Sequence, residues 1–179
     1  RAIELDPDNL DAHNNLGIVY VAMERINDAA VEFETATQLD PKVANVHNNL
    51  GIVHAKQGNP DKAIRELNTA VSLGFDNADV HNNLAGVYLT QGSTDRAIAE
   101  LKLALTCNPA DCNAHSNLGI AYISKGRGDE AISEFTEAIK YNPADGEIHY
   151  YLGNALYRKG HYAAAADAFC QSVYYQPNN

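Results

Sequence analysis

The sequence predicts an all-α fold, a solenoid of antiparallel helix pairs. Three observations predict it. A five-residue stretch recurs five times at an interval of 34: His13-Asn14-Asn15-Leu16-Gly17, His47-Asn48-Asn49-Leu50-Gly51, His81-Asn82-Asn83-Leu84-Ala85, His115-Ser116-Asn117-Leu118-Gly119 and His149-Tyr150-Tyr151-Leu152-Gly153. Fixed self-similarity of this kind marks a repeat array, in which each unit packs on its neighbours rather than round one central core. Within each interval apolar residues recur at spacings of three and four, twice over, which writes two helices per unit. The register is unbroken: residues 1–9 and five units, 10–43, 44–77, 78–111, 112–145 and 146–179, account for all 179 residues as one continuous array.

Residues 1–9 carry Ala2 and Asp6-Pro7 and match the closing part of a unit. The register puts Arg1 inside an unfinished helix. The chain is therefore expected to be a piece of a longer protein, and a targeting signal could have been removed from it. Positions within each unit are numbered 1 to 34. The first helix is read from the histidine at position 4, from Leu16, Leu50, Leu84, Leu118 and Leu152 at position 7, and from Tyr20, His54, Tyr88, Tyr122 and Leu156 at position 11. Position 8 is Gly17, Gly51, Ala85, Gly119 and Gly153. Glycine inside a helix costs about 1 kcal/mol relative to alanine, so its repeated use implies a close approach by a packed neighbour.

Gly58, Gly92, Gly126 and Gly160 at position 15 suit the left-handed residue that ends a helix. Helix starters follow them: Asn59-Pro60, Thr94-Asp95 and Gly128-Asp129. Unit one has Glu24 there instead, so its turn is expected to be built differently. The second helix shows Ala29, Ala63, Ala97, Ala131 and Ala165 at position 20, with Phe33, Leu67, Leu101, Phe135 and Phe169 at position 24. Position 27 is Ala36, Ala70, Ala104, Ala138 and Ser172, which completes one apolar stripe of alternating small and large residues. Pro41, Pro109, Pro143 and Pro177 at position 32 stop this helix. Unit two has Gly74-Phe75 there, and the glycine is expected to end its helix.

The period and the Leu-Gly, Tyr, Ala, Phe, Ala and Pro columns, taken together over the whole chain, resemble the tetratricopeptide repeat family. That resemblance implies a right-handed superhelix whose first helices line a concave groove and whose second helices form the convex back. The family's aromatic at position 4 is replaced here by His13, His47, His81, His115 and His149. Packed helices lie about 8–10 Å apart, too far for successive imidazoles to share an ion at about 2.0–2.1 Å from each. These histidines are therefore expected to be structural, with the ring packed and a ring nitrogen on water or a polar neighbour. His47 and His54 share a helix face, but no further ligand joins them. The column Glu32, Glu66, Glu100 and Glu134 at position 23 is expected to solvate the outer side or to pair with basic residues.

The formal charge of −10 disfavours non-specific nucleic-acid binding, which runs on Lys and Arg neutralising phosphates, and no nucleic-acid partner is expected. No apolar run reaches the length of a membrane span. Three cysteines, Cys107, Cys112 and Cys170, do not make a disulfide framework. No Gly-x-Ser-x-Gly elbow, phosphate-binding glycine loop or His-Glu-x-x-His helix is present. Hence no enzyme, no cofactor and no metal is expected, and the location expected is cytoplasmic.

The asparagines are the informative polar residues. Position 6 is Asn15, Asn49, Asn83 and Asn117; position 5 is Asn14, Asn48 and Asn82, then Ser116. Asparagine competes for backbone groups and is a mediocre helix former, so pairs of it in mid-helix suggest a use. An amide carries both a donor and an acceptor and can clamp one peptide group of an extended ligand per unit. The alternative is hydrogen bonding between adjacent helices. The position-6 column is similar to the asparagine ladder in the repeats of protein O-linked N-acetylglucosamine transferases, which implies backbone gripping by Asn15, Asn49, Asn83 and Asn117. In unit five Tyr151 interrupts it.

The expected groove adds an apolar floor, Ile18, Ile52 and Ile120 at position 9, then Asn154. Position 12 carries Val21, Ala55, Leu89, Ile123 and Tyr157. Cations are scarce there, Lys56 and Arg158 being the exceptions, and no unit has the position-5 lysine of family members that grip carboxylate termini. Unit five concentrates tyrosines, and Tyr150, Tyr151 and Tyr157 are expected to face the groove as a binding patch. The last helix ends without a polar cap, so Ala165, Phe169 and Val173 are expected to be exposed, and end-to-end association of chains is expected through this surface or through the open N-terminal end. The function read from these residues is a scaffold that binds a protein or peptide segment. A substrate-recruiting region of a larger enzyme such as a glycosyltransferase, or a self-assembly module, are the alternatives.

Overall fold

The 34-residue pattern becomes paired helices in a computed structural model, which describes residues 7–176. The described residues form α1 (Leu10–Ala22), α2 (Ile26–Leu39), α3 (Ala44–Lys56), α4 (Pro60–Ser72), α5 (Ala78–Thr90), α6 (Thr94–Cys107), α7 (Cys112–Ser124), α8 (Gly128–Tyr141), α9 (Gly146–Arg158) and α10 (Tyr162–Tyr175). Odd-numbered helices are the first of each unit and even-numbered helices the second. None of the described helices is long and apolar enough to cross a membrane. Pro177 and the stretch before Pro7 lie outside the described residues.

The chain forms two compact bodies, Arg1–Val87 and Tyr88–Asn179. In the first, α1 pairs with α2 and α3 with α4, and α2 also packs on α3. Its core joins Ala29, Phe33 and Ala36 of α2 to Val46, Leu50 and Val53 of α3. In the second, α7 pairs with α8 and α9 with α10, while α6 packs on α7 and α8 on α9. Leu101, Leu118, Phe135, Ala138 and Ile148 are buried there. α2 and α8 are thus each shared between their own unit and the next one through a single apolar stripe of small and large residues.

The position-8 glycines explain the closeness of each pair. A Cβ on Gly119 would lie 2.6 Å from Cε1 of Phe135, and one on Gly17 would lie 2.6 Å from Cε1 of Phe33. The close neighbour is the large position-24 side chain of the unit's own second helix. It lies flat over the glycine backbone.

The turn of unit one corrects the expectation drawn from its missing glycine. Glu24 has φ 58°, against 69° to 81° at Gly58, Gly92, Gly126 and Gly160. The following amide donates back to the position-11 carbonyl in every unit, Arg25 to Tyr20 at 2.9 Å and Asn59 to His54 at 2.9 Å among them. Packing of α1 on α2 therefore imposes the same turn on a residue that disfavours it. Elsewhere the stops fall as expected. α2, α6 and α8 end two residues before Pro41, Pro109 and Pro143, and α4 ends at Ser72, two residues before Gly74 at φ 95°.

The last helix is also corrected in part. Ala165 is buried, because position 20 faces inward within its own pair; Phe169 is half-buried beside Gly153, and Val173 is exposed. Cys107, Cys112 and Cys170 are free thiols.

Candidate peptide-binding face

Two polar columns frame the first helices. The first is the histidine column, and it does more than fill an aromatic site. His47 is buried, its Nδ1 lies 2.7 Å from the Glu66 carboxylate, and its Nε2 lies 2.9 Å from the Pro41 carbonyl. His13 repeats this with Glu32 and Pro7, and His115 with Glu134 and Pro109. A carbonyl only accepts, so Nε2 carries a proton and donates it. Each histidine so ties its own two helices to the end of the previous unit. The position-23 glutamates are therefore partners of histidine in these units, not solvent-facing partners of basic residues. Two polar columns held 19 residues apart carried that signal in the sequence.

The variants of this joint follow the sequence. Unit two ends without proline, and His81 Nε2 meets the Asp76 carboxylate at 2.8 Å instead. Unit five has Ala168 at position 23. There His149 keeps the Pro143 carbonyl at 3.0 Å and stacks on Tyr175, ring centroids 5.6 Å apart.

The second column is asparagine. Asn14 and Asn48 are buried. Asn49 Nδ2 donates to Asn14 Oδ1 at 3.1 Å, and Asn83 Nδ2 donates to Asn48 Oδ1 at 3.1 Å. Asn14 and Asn48 thus sit between successive first helices, and each holds the position-6 amide of the next unit. Asn15 is exposed, while Asn49, Asn82, Asn83 and Asn117 are half-buried. Asn14–Asn49 and Asn48–Asn83 are thus interhelical hydrogen bonds, the alternative that the sequence left beside a ligand clamp. Asn14 and Asn48 accept through Oδ1, while Asn49 and Asn83 donate through Nδ2 and leave their own Oδ1 out of these bonds.

The remaining candidate residues fall into distinct places. Ile18 is exposed, and Ile52 is half-buried. Between α7 and α9 two adjoining cavities share Ile120 and Tyr151. One, of about 130 Å³, is lined by Ile120, Ile123, Phe135, Tyr151, Asn154, Ala155 and Arg158. The other, of about 160 Å³, reaches Asn113, Ser116, Asn117, Asp145, Glu147 and Ile148. Asn154 donates from Nδ2 to the Tyr150 carbonyl of its own helix at 3.1 Å. Tyr151 stacks on Phe135 and donates its hydroxyl to Glu147 at 2.8 Å. That bond, with burial adding to it, raises the Tyr151 pKa above the usual phenol value. Tyr150 turns to the other side of α9, against Phe169, in a cavity of about 510 Å³ that Val173 and Gln176 also line. Tyr157 is exposed and meets Tyr162 edge to face. Glu147, at position 2, was absent from the residues singled out in sequence. Its column of Asp11, Asn45, Asp79, Asn113 and Glu147 is polar throughout, as a surface-facing turn of helix would also be.

Comparison with known proteins bears on the family and the fold of the chain. Family models described as tetratricopeptide repeat match residues 50–111 and 116–178, and residues 1–30. A model described as TPR repeat matches residues 19–58. No curated protein sequence matches the chain. Among solved structures, MamA is similar at 23% identity and TM-score 0.82, over 90% of this chain and 94% of that one. YrrB, described as a TPR protein with an unusual peptide-binding site, is similar at 21% identity and TM-score 0.77, over 99% and 92%. PilF of Pseudomonas aeruginosa is similar at 26% identity and TM-score 0.82, over 91% and 76%. Identities this low carry the fold of antiparallel helix pairs.

Proposed function

The chain belongs to the tetratricopeptide repeat family, and on that premise we propose that it is a non-catalytic scaffold which holds an extended segment of a partner protein along its first helices. The coarse part, a protein-interaction scaffold, follows from the family. The finer part rests on one observation: Asn49 and Asn83 are each oriented through Nδ2 by a buried position-5 neighbour, a bond that leaves their own Oδ1 unused. An amide already held by one hydrogen bond loses little rotamer freedom on meeting a ligand, so its second bond is gained at low entropic cost. In the first body Asn49 and Asn83 would grip peptide groups without reading side chains; Asn15 there, and Asn117 in the second body, carry position-6 amides open to the same use. Ile18, Ile52 and Ile120 would supply apolar contact between the grips, with Asn154, Tyr150, Tyr151 and Tyr157 continuing the face in unit five.

The test is a selection of random dodecapeptides displayed on phage against the whole chain. Wild type should enrich peptides that a variant with Asn15→Ala and Asn117→Ala fails to hold. Those two residues make no side-chain hydrogen bond among the described residues, so the variant should keep its fold by circular dichroism. Equal retention by wild type and variant would move the binding face elsewhere.

A further inference from the structure

The cleft between α7 and α9 has a direction. Its middle is apolar, built by Ile120, Ile123, Phe135 and Tyr151. Arg158 closes the end at the helix C-termini, and Glu147 stands at the end of the N-termini. Arg158 is exposed and makes no ion pair among the described residues. Glu147 accepts only the Tyr151 hydroxyl and the described residues give it no cation. Lys125, Lys140 and Lys159, by contrast, are paired with Asp95, Glu137 and Asp129. The cleft therefore keeps one unspent charge of each sign at opposite ends.

From this geometry, and resting on the peptide-binding reading above, we infer that the α7–α9 cleft recognises a segment with one large apolar side chain between an acidic and a basic residue. The apolar side chain enters the cavity of about 130 Å³, several times the roughly 30 Å³ that a water molecule takes in the liquid. The acidic residue faces Arg158 and the basic residue faces Glu147. Glu147 and Arg158 are eleven residues apart on α9, about 16 Å along the axis. An extended chain covers that in about five residues. The two charges of the ligand are thus set about five residues apart with the anchor between them. Asn117 and Asn154, on either side of the apolar middle, are placed for the backbone of the same segment. This order of charges belongs to units four and five. No other unit has a cation at position 13 together with an acid at position 2; unit two, with Lys56, has Asn45.

The experiment sequences the dodecapeptides selected by wild type, by Arg158→Glu and by Glu147→Lys. Arg158 and Glu147 both lie at the surface, so neither exchange removes a core contact. Wild type should enrich a large apolar residue with acid on one side and base on the other. Arg158→Glu should replace the acid by Lys or Arg, and Glu147→Lys should replace the base by Asp or Glu. A synthetic peptide from the wild-type pool, labelled with fluorescein, should bind Arg158→Glu about three- to tenfold more weakly by anisotropy, the range expected for a partly exposed charge pair turned repulsive. Identical pools from all three proteins would overturn the inference. If those pools still depend on Asn15 and Asn117, the groove reading survives that failure. If wild type enriches nothing, both fall together.

Discussion

His13 Nδ1 lies 2.6 Å from the Glu32 carboxylate, and the same ring reaches the Pro7 carbonyl through Nε2 at 2.9 Å. Burial pulls the His13 pKa down, but the Pro7 carbonyl and Glu32 together overcome it, and the net direction is upward from 6.5. A raised folded pKa contributes stability that is fully present below the unfolded value and is lost as pH rises through the folded value. The chain should therefore lose this contribution above pH 6.5. Melting temperatures at pH 5.5, 6.5, 7.5 and 8.5 check it, with Glu32→Gln as the comparison. The variant should show a shallower fall across the upper three points; parallel curves would mean that the joint is not the source.

The histidine joints should differ in strength along the chain. His115→Ala strips hydrogen bonds from Glu134 and the Pro109 carbonyl and removes a ring stacked on Tyr141. A loss of about 2–3 kcal/mol is expected, since one of the two bonds is to a charged group. His149 has no glutamate at position 23, and His149→Ala should cost about 1–2 kcal/mol. Urea unfolding of both variants gives the order. A larger loss at His149 would refute it.

Gly119→Ala should destabilise, although alanine is the better helix former by about 1 kcal/mol. The new methyl would meet Phe135 Cε1 at 2.6 Å, and overpacking of a filled core costs about 1–3 kcal/mol. The net loss expected is near 1 kcal/mol, read as a lower urea midpoint. A raised midpoint would show that the helix pair can open without penalty.

Glu24→Gly should stabilise. Glu24 holds φ 58°, a left-handed conformation that costs a side-chain-bearing residue about 1–2 kcal/mol. Glycine removes the strain but gives back part of the gain as unfolded-chain entropy. About 0.5–1 kcal/mol of added stability is expected, visible in the urea midpoint of the whole chain. No change would mean that the Glu24 side chain makes up for its backbone.

Period, helix pairing and the direction of each apolar stripe were decided by the sequence alone. Local spacing is enough for them. Leu118 and Tyr122, or Ala131 and Phe135, must share a face whatever surrounds them, and Pro109 must end a helix because it has no amide hydrogen to donate. The polar columns were legible as columns, but their partners were not. His115 and Glu134 lie on different helices, and only the closed pair decides that one ring nitrogen meets a carboxylate and the other a carbonyl. Asn14 and Asn49 belong to different units, so the division between a buried holding amide and a surface amide waits on how adjacent first helices pack. Tertiary packing also overruled local preference at Glu24, where the cost of one left-handed residue is smaller than the loss of the α1–α2 contact. The opposed charges of Glu147 and Arg158 stand on one helix in the sequence. Only the cleft against α7 makes them two ends of one surface.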